Sequence, residues 1–510
     1  MSILRRLATQ TAIFGTGHIL AKVLNLSLTW LYTNVDHISP TDYGIFSDVY
    51  AFVAMLNIIL TFGMETTFFR LIQDTDKPKK IYNQAFLVIS VLSVLFLVLI
   101  GLLHEEIASL MGYEGQGIWI LLMGGVMFLD ALAALPMAQL RQQEKARRFV
   151  LILLANVVVT VVLNFVFVLF LQKGLTYIFM ANLVASAVKL GLAFMGNLPT
   201  SLRPDFKILR PVLNYGFFIM IAGLAGVMNE TLDRAAIPRL WNDGDLFNGK
   251  PMTGEALNGI YAANYKVAIL INLAIQAFRY AAEPFFFNRA KEKDSPETFA
   301  KIFHFFMIAA LLGFLVIGSF AKEIVSFNFF GLIDYTFIGE KYWSGLDIVP
   351  ILLLAYVFAG AYINISIWFK ITKQVRFAVL FTGVGALITI LGNFLFVSSV
   401  GYYASAWSTL ICYMVMVALV YVVGQRYYPI PYRISRIGFY GLIFVGAYAV
   451  NYAIGPTDGF AFAFILKTLV TLGAIGSVLW SERTRPTFSP KVGNVDLGPD
   501  EDDATTHTQE

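Results

Sequence analysis

The sequence has few charged residues and almost no cysteine. Of its 510 residues, 14% are charged, 58% are hydrophobic and one, Cys412, is a cysteine. A single cysteine excludes an intrachain disulfide, and the five scattered histidines show no spacing typical of metal ligands. No Walker-type phosphate loop is present, so we expect neither ATP hydrolysis nor a bound metal or cofactor. A chain of this length with so little polar surface is not typical of a soluble protein.

Long apolar stretches take the place of the missing polar surface. Fourteen of them, each roughly 20 residues long, run between residues 11 and 479. Of the 37 Lys and Arg residues, 27 lie in the gaps on one side and six in the gaps on the other. The positive-inside rule then places both termini in the cytoplasm. We predict an all-α protein with about 14 transmembrane helices in a bacterial inner membrane.

Two parts of the chain resemble each other when Gly44 is aligned with Gly259. In the same frame Asn57 coincides with Asn272, and the pentapeptide Asn-Phe-x-Phe-Val recurs at residues 164–168 and 393–397. Six spans per repeat is an even number, so the two repeats would share one orientation, related by an axis near the membrane normal. Chance recurrence of Gly, Asn and aromatic residues is the alternative.

The repeat divides the chain into four parts. We predict an N-lobe of helices 1–6, a C-lobe of helices 7–12, an appended pair of helices and a cytoplasmic tail, at residues 1–198, 199–425, 426–482 and 483–510. The tail is rich in Pro, Gly, Asp, Glu and Thr, a composition typical of disorder. The small net charge of +4 lies mainly in the cytoplasmic loops and favours contact with anionic lipids, not with nucleic acid.

Short motifs in each half carry a family likeness. The sequence Ser-Pro-Thr-Asp-Tyr-Gly-Ile-Phe at 39–46 is followed by Thr-Phe-Gly-Met-Glu-Thr-Thr-Phe-Phe-Arg at 61–70, and the second half has Asp233-Arg234, Gly259-Ile260-Tyr261 and Ala281 to Pro284. These motifs resemble polysaccharide-biosynthesis flippases, the Wzx-like branch of the multidrug/oligosaccharidyl-lipid/polysaccharide exporter superfamily. The chain departs from the pattern at Thr33-Asn34, where many relatives have an Arg.

The resemblance implies a transporter and not an enzyme. It would move a polyprenyl-diphosphate-linked oligosaccharide from the cytoplasmic to the periplasmic leaflet by alternating access, for O-antigen, capsule or exopolysaccharide synthesis. The partners implied are this lipid-linked substrate, the membrane lipids, and the polymerase and glycosyltransferases of the same pathway.

Helix one carries the clearest polar pattern inside the membrane. Ionisable residues in hydrocarbon cost several kcal/mol and usually face a water-filled cavity or a partner, so they are candidate site residues. Steps of three and four residues place the following on one helical face: Thr11, Gly15, His18, Lys22, Asn25 and Thr29. Lys22 lies near mid-membrane. We predict that His18, Lys22 and Asn25 bind substrate.

Helices two and eight supply the facing polar residues. We predict further substrate-binding roles for Asn57, Tyr265, Lys266 and Asn272. A diphosphate headgroup cannot cross hydrocarbon without compensation for its lost hydration, and Lys22 and Lys266 would supply it as point charges. Related lipid II flippases carry cavity cations on helices one, two and eight. Both lysines match this pattern by helix, whereas Asp48 on helix two departs from it.

The remaining intramembrane charges are predicted to gate or couple transport: Asp48, Asp130, Glu230, Asp233 and Arg234. Asp233-Arg234 lies near the external end of helix seven and favours a gate or an interhelical pair over a substrate ligand. Asp130 is a candidate carrier of a coupling H+ or Na+, or is paired with a neighbouring helix. A structural Lys22–Asp48 pair is the alternative to a cavity role for Lys22.

Two other functions compete with the flippase hypothesis. A cation-coupled multidrug exporter of the same fold would favour an acidic, aromatic cavity, against which Lys22 and Lys266 argue. A polysaccharide polymerase or polyprenyl glycosyltransferase needs a large periplasmic loop or a metal-binding carboxylate motif. The longest external loop, at about residues 233–257, offers neither.

Overall fold

The computed structural model describes residues 3–290, 292, 294–328, 335–372, 374, 376–455 and 460–484, so the predicted tail lies outside the described residues from residue 485 onward. The helices are α1 Ile3–Asn34, α2 Pro40–Thr61, α3 Met64–Leu71, α4 Pro78–Leu110, α5 Gly117–Gln142, α6 Ala146–Asn164, α7 Leu175–Phe194, α8 Phe206–Leu240, α9 Gly254–Arg289, α10 Ser295–Ser319, α11 Ala321–Val325, α12 Val349–Ile365, α13 Ile367–Ile371, α14 Arg376–Val400, α15 Tyr402–Tyr427, α16 Ile434–Ile454 and α17 Phe460–Thr484. A hairpin of β1 (Leu246–Phe247) and β2 (Lys250–Pro251) joins α8 to α9.

The predicted all-α membrane architecture is confirmed. Within the described residues, thirteen helices are long and apolar enough to cross a membrane. The 32-residue α1 has the length of a span but a more polar sequence, and counting it gives the predicted fourteen. Below, external and cytoplasmic name the two ends of the bundle as the basic residues predict them.

Helix two is broken, although the sequence predicts one span over 43–65. Phe62 and Gly63, with φ of 49° and 62°, adopt left-handed backbone, which ends α2 before α3 begins. A Cβ on Gly63 would lie 2.7 Å from the Ile219 side chain of α8. The glycine therefore permits both the bend and the close approach of α8.

The packing of the helices recurs at an offset of six spans. Helix α1 packs on α6 as α8 packs on α14, α4 on α5 as α10 on α12, and α5 on α7 as α12 on α15. The two sets meet mainly where α2 contacts α8 and α9, and where α1 contacts α9. Helices α16 and α17 pack together, with α16 against α10, outside this arrangement. Such recurrence is what two lobes of one orientation require.

Candidate functional site: charges between the two lobes

The two predicted lobes meet closely at a pair of glycines. A Cβ on Gly44 of α2 would lie 1.8 Å from the carbonyl oxygen of Glu255, and one on Gly259 of α9 would lie 1.9 Å from that of Pro40. The Asn258 amide donates a hydrogen bond to the Gly44 carbonyl oxygen at 2.9 Å. The two glycines aligned in the repeat thus lie against each other's helices, and no larger residue fits without displacing backbone.

Asp48 lies one turn deeper on α2 and is fully buried. Its carboxylate accepts hydrogen bonds from Nη1 and Nη2 of Arg239 on α8, at 2.7 and 3.0 Å, and from the Tyr113 hydroxyl at 2.5 Å. The alternative of a Lys22–Asp48 pair is therefore wrong. Asp48 instead joins α2 to α8 through a bidentate salt bridge near the external end.

The external end of α1 is fixed to the segment before α12. Asn34 donates to the Thr336 carbonyl at 2.7 Å and accepts the Thr336 backbone N–H at 3.0 Å. The Lys341 ammonium donates to the carbonyls of Val35 and Ile38 at 2.8 and 2.5 Å. Asn34 and Lys341 thus join the external end of α1 and the loop that follows it to the segment before α12.

A cluster of charges lies below this external contact. Lys22 of α1 is exposed, yet it lies close enough to Glu230 of α8 and Arg279 of α9 for charge–charge interaction. Lys22 therefore lies on the side of α1 that is turned towards α8 and α9. Glu230, also exposed, interacts in addition with Arg234, one turn along α8. Both lobes thus contribute to one polar cluster.

Asp233 and Arg234 connect α8 to α9 by different contacts. Asp233, 2% exposed, accepts a hydrogen bond from the Tyr261 hydroxyl. The Arg234 guanidinium lies over the ring of Tyr265 at 4.2 Å, and the Tyr265 hydroxyl accepts a hydrogen bond from Tyr356 at 2.8 Å. Asp233 is thus committed to an interhelical bond, whereas Arg234 is oriented by aromatic stacking, which leaves its donors available for an anion.

Lys266 follows Tyr265 on α9 and is half-buried near Arg234, a charge of the same sign. Within the described residues it forms no salt bridge and no hydrogen bond. Even without Arg279, the cluster therefore contains Lys22, Arg234 and Lys266 against the two acids of α8, Glu230 and Asp233. An uncompensated positive charge in this place favours an anionic ligand.

The other predicted site residues lie on several surfaces. Asn25 is exposed and lies one turn along α1 from Lys22. The ring centroids of His18 and of Phe149 on α6 are 5.5 Å apart. The amide oxygen of Asn57 is buried without a hydrogen-bond partner among the described residues. Asn272 accepts a hydrogen bond from Gln276 at 3.4 Å on α9. The structure thus groups Asn25 with the charges, and places His18 against α6.

Asp130 is not an isolated carboxylate. It forms a salt bridge of 3.2 Å with Lys189, which joins α5 to α7 inside the first lobe. The sequence left two alternatives for Asp130, a carrier of a coupling ion or a pair with a neighbouring helix, and the structure shows the pair. Any coupling role for Asp130 has to include Lys189.

Over the described residues, no group of His, Cys, Asp or Glu side chains is arranged to hold a metal ion.

Two arginines of this region are not among the predicted site residues. Arg239 and Arg279 each lie at the end of an apolar stretch of the sequence. The α8 helix extends to Leu240, so Arg239 is helical and reaches Asp48. For Arg279, the helical spacing from Tyr265 and Asn272, at seven-residue steps, is a signal that places it on the same face of α9.

The chain matches known proteins by sequence over part of its length and by fold over most of it. Residues 37–269 match a sequence family described as polysaccharide biosynthesis protein. No curated protein matches the chain significantly in sequence.

Three solved structures illustrate the fold. The lipid II flippase MurJ in an inward closed conformation has a TM-score of 0.65 at 14% identity, covering 93% of this chain and 100% of that chain. An inward-facing multidrug resistance MATE family transporter of the MOP superfamily has a TM-score of 0.60 at 16% identity, covering 82% and 96%. A MOP superfamily transporter from Pyrococcus furiosus, described as having a binding pocket of reverse polarity that suggests a different function, has a TM-score of 0.54 at 16% identity, covering 85% and 95%.

The matched region runs from the Ser39 motif through α2 to the middle of α9, and so includes Gly44, Asp48, Asp233 and Gly259. The motif resemblance seen in the sequence, the match over this region and the shared fold all agree. Residues 37–269 are thus similar to the polysaccharide biosynthesis protein family, and the chain shares its fold with a MATE family transporter and with the flippase MurJ.

Proposed function

We propose that the chain is a non-hydrolytic flippase. It carries a polyprenyl-diphosphate-linked oligosaccharide from the cytoplasmic to the periplasmic leaflet of a bacterial inner membrane, with both of its own termini in the cytoplasm. The headgroup passes between the lobes while the polyprenyl tail stays in lipid. The substrate then feeds assembly of a cell-surface polysaccharide, and the polymerase and glycosyltransferases of that assembly are its partners.

The observation that carries this proposal is the group of cations between the lobes. Lys22, Arg234, Lys266 and Arg279 come from α1, α8 and α9, and Glu230 is the acidic side chain exposed among them. A diphosphate loses its hydration on entering the membrane, and fixed cations replace that hydration. Exposed Asn25 offers an amide for sugar hydroxyls on the same side of α1.

The external contacts support alternating access. Gly44 and Gly259, the Asp48–Arg239 salt bridge, and the Asn34–Thr336 hydrogen bonds join the lobes at the external end. Lys22, Asn25 and Glu230 nevertheless remain exposed, so the cluster is open on its other side. We infer that this conformation receives substrate from the cytoplasm, and that release requires these external contacts to separate.

The charge of the cavity separates this proposal from its alternatives. A multidrug exporter of the same fold that takes cationic drugs would need an excess of acids, and the cluster has an excess of bases. A polymerase or glycosyltransferase would need a large external loop. The loop between α8 and α9 is shorter than the sequence suggested, because it spans only residues 241–253. We propose that H+ or Na+ entry drives transport, with the Asp130–Lys189 pair as the candidate site.

Deletion of the gene tests the proposed substrate class. We expect complete lipid-linked oligosaccharides to accumulate, protected from periplasmic hydrolases, while surface polysaccharide is lost; mass spectrometry of extracted lipids measures both. Complementation with the exposed-loop variant Lys250→Ala should restore export, whereas Lys22→Ala should not. Unchanged lipid-linked oligosaccharides together with increased drug sensitivity would instead identify a drug exporter.

A further inference from the structure

A second cationic site lies at the cytoplasmic end, away from the cluster between the lobes. A cavity of about 700 Å³ opens between the first turn of α4 and the linker that enters α8. Four basic side chains line it: Lys79 and Lys80 from α4, Arg203 from the linker, and Lys207 from α8. The cavity therefore lies between an element of the first lobe and one of the second.

The four cations are not neutralised by the protein. Within the described residues none of them forms a salt bridge. The one acid of the lining, Asp205, is engaged with backbone, since its carboxylate accepts the N–H of Lys207 at 3.2 Å as the N-cap of α8. A cavity with four unpaired cations attracts an anion. An anion with several oxygen atoms fits this cavity best, because each oxygen can accept a hydrogen bond from a cation.

The walls of the cavity are held by buried amides of α4. Asn83 donates to the Thr200 hydroxyl at 3.0 Å and accepts the Thr200 N–H at 3.1 Å. Gln84 donates to the Arg203 carbonyl at 2.9 Å and accepts the Asp205 N–H at 3.0 Å. Four hydrogen bonds thus hold the linker in one conformation, so the cavity is formed before any ligand binds.

Exposed apolar side chains lie along the same linker, and one of them, Phe206, lines the cavity. Met195, Leu198, Leu202 and Phe206 are 62%, 61%, 48% and 76% exposed. Exposed apolar groups beside cations at a membrane surface favour insertion among acyl chains, with the charges at headgroup level. A soluble anion would use the cations alone, whereas a lipid uses both sets of groups.

We propose that this cavity binds the headgroup of an anionic phospholipid of the cytoplasmic leaflet, with the phosphate held by the four cations and the acyl chains against Leu202 and Phe206. Basic pockets between helices on this side of a membrane are suited to such lipids. Because the cations come from α4 and from the entry to α8, the bound lipid joins the two lobes at their linker. It is positioned to adjust how the lobes move, whatever they transport.

Native mass spectrometry of the delipidated full chain tests the site, with phosphatidylglycerol as probe and phosphatidylcholine as the zwitterionic comparison. We expect phosphatidylglycerol to bind more tightly, and the variant Lys79→Ala/Lys80→Ala/Arg203→Ala/Lys207→Ala to lose at least about tenfold in affinity. The charge-conserving variant Lys79→Arg/Lys80→Arg/Lys207→Arg should keep it. A matched control removes four cytoplasmic cations elsewhere: Lys145→Ala/Arg147→Ala/Arg426→Ala/Arg433→Ala.

Three results would overturn the proposal: equal binding of the two lipids, an equal loss in the control variant, or displacement of phosphatidylglycerol by an equal concentration of inorganic phosphate. The last would indicate a free-phosphate site. Should the fourfold variant not fold, the two pairs Lys79→Ala/Lys80→Ala and Arg203→Ala/Lys207→Ala replace it, and each should weaken binding. Because the readout is lipid binding, it is independent of the transported substrate.

Discussion

Arg239 binds both carboxylate oxygens of Asp48, with Nη1 2.7 Å from Oδ1 and Nη2 3.0 Å from Oδ2. Asp48 belongs to α2 in the first predicted lobe, and Arg239 to α8 in the second. Their salt bridge therefore has to break, or to move as a unit, whenever the lobes separate at the external end. We regard it as a latch on the conformation described here.

The latch predicts a specific stability pattern. Arg239→Gln leaves the Asp48 charge buried and unpaired, which should lower the free energy of unfolding by about 3–5 kcal/mol. The double variant Asp48→Asn/Arg239→Gln removes both charges and should recover part of that loss. Thermal unfolding in detergent measures both. Additive losses in the double variant would show that the two residues act separately.

The Gly44–Gly259 contact predicts a conformational effect. A valine at Gly44 would push α2 from the backbone of α9, since even a Cβ would lie 1.8 Å from the Glu255 carbonyl oxygen. In an Asn25→Cys/Cys412→Ala background, Gly44→Val should therefore expose residue 25 to an impermeant thiol reagent from outside. Gly226→Ala, where a Cβ meets nothing within 4 Å, is the matched control. Unchanged labelling at normal abundance would remove the glycines from the gate.

The sequence predicted those parts of the fold that depend on local pattern. Apolar length and alternating positive charge gave the spans, because both follow from the membrane as solvent. The repeat alignment pairs Gly44 with Gly259, and the structure brings the backbones of these two glycines together. The break at Phe62-Gly63 was not predicted, because the apolar pattern continues through it, and the bend depends on how closely α8 approaches.

The sequence predicts which helical face a candidate residue lies on, but not which residue it pairs with. Helical spacing predicts Lys22 and Asn25 on one side of α1, and both side chains are exposed in the structure. The partner of Asp48, however, is 191 residues away in the chain, and that of Asp130 is 59 residues away. Such pairs are set by tertiary packing, which a periodicity within one helix does not contain.

Topology gives a third prediction. In a Cys412→Ala background, single cysteines at the exposed positions Glu114, Asp245 and Ser344 should react with an impermeant thiol reagent on intact cells, because they lie in gaps poor in basic residues. Cysteines at Asp76, Lys145 and Arg433 should react only after the membrane is permeabilised. Reaction of either set from the wrong side would reverse or break the fourteen-span assignment.

The last prediction concerns the cations between the lobes. Removing a cation that compensates a desolvated phosphate should cost about 2–5 kcal/mol of binding, so Lys22→Ala and Lys266→Ala should each strongly reduce polysaccharide export. The corresponding Lys→Arg variants should retain part of it, and Lys250→Ala, in the exposed hairpin, should export normally. Glu230, not Asp48, is the acid near Lys22, so Lys22→Ala/Glu230→Gln separates the two roles of this lysine. Recovered export in that double variant would mean that Lys22 only balances Glu230, whereas continued loss at normal abundance is what a phosphate-binding cation requires.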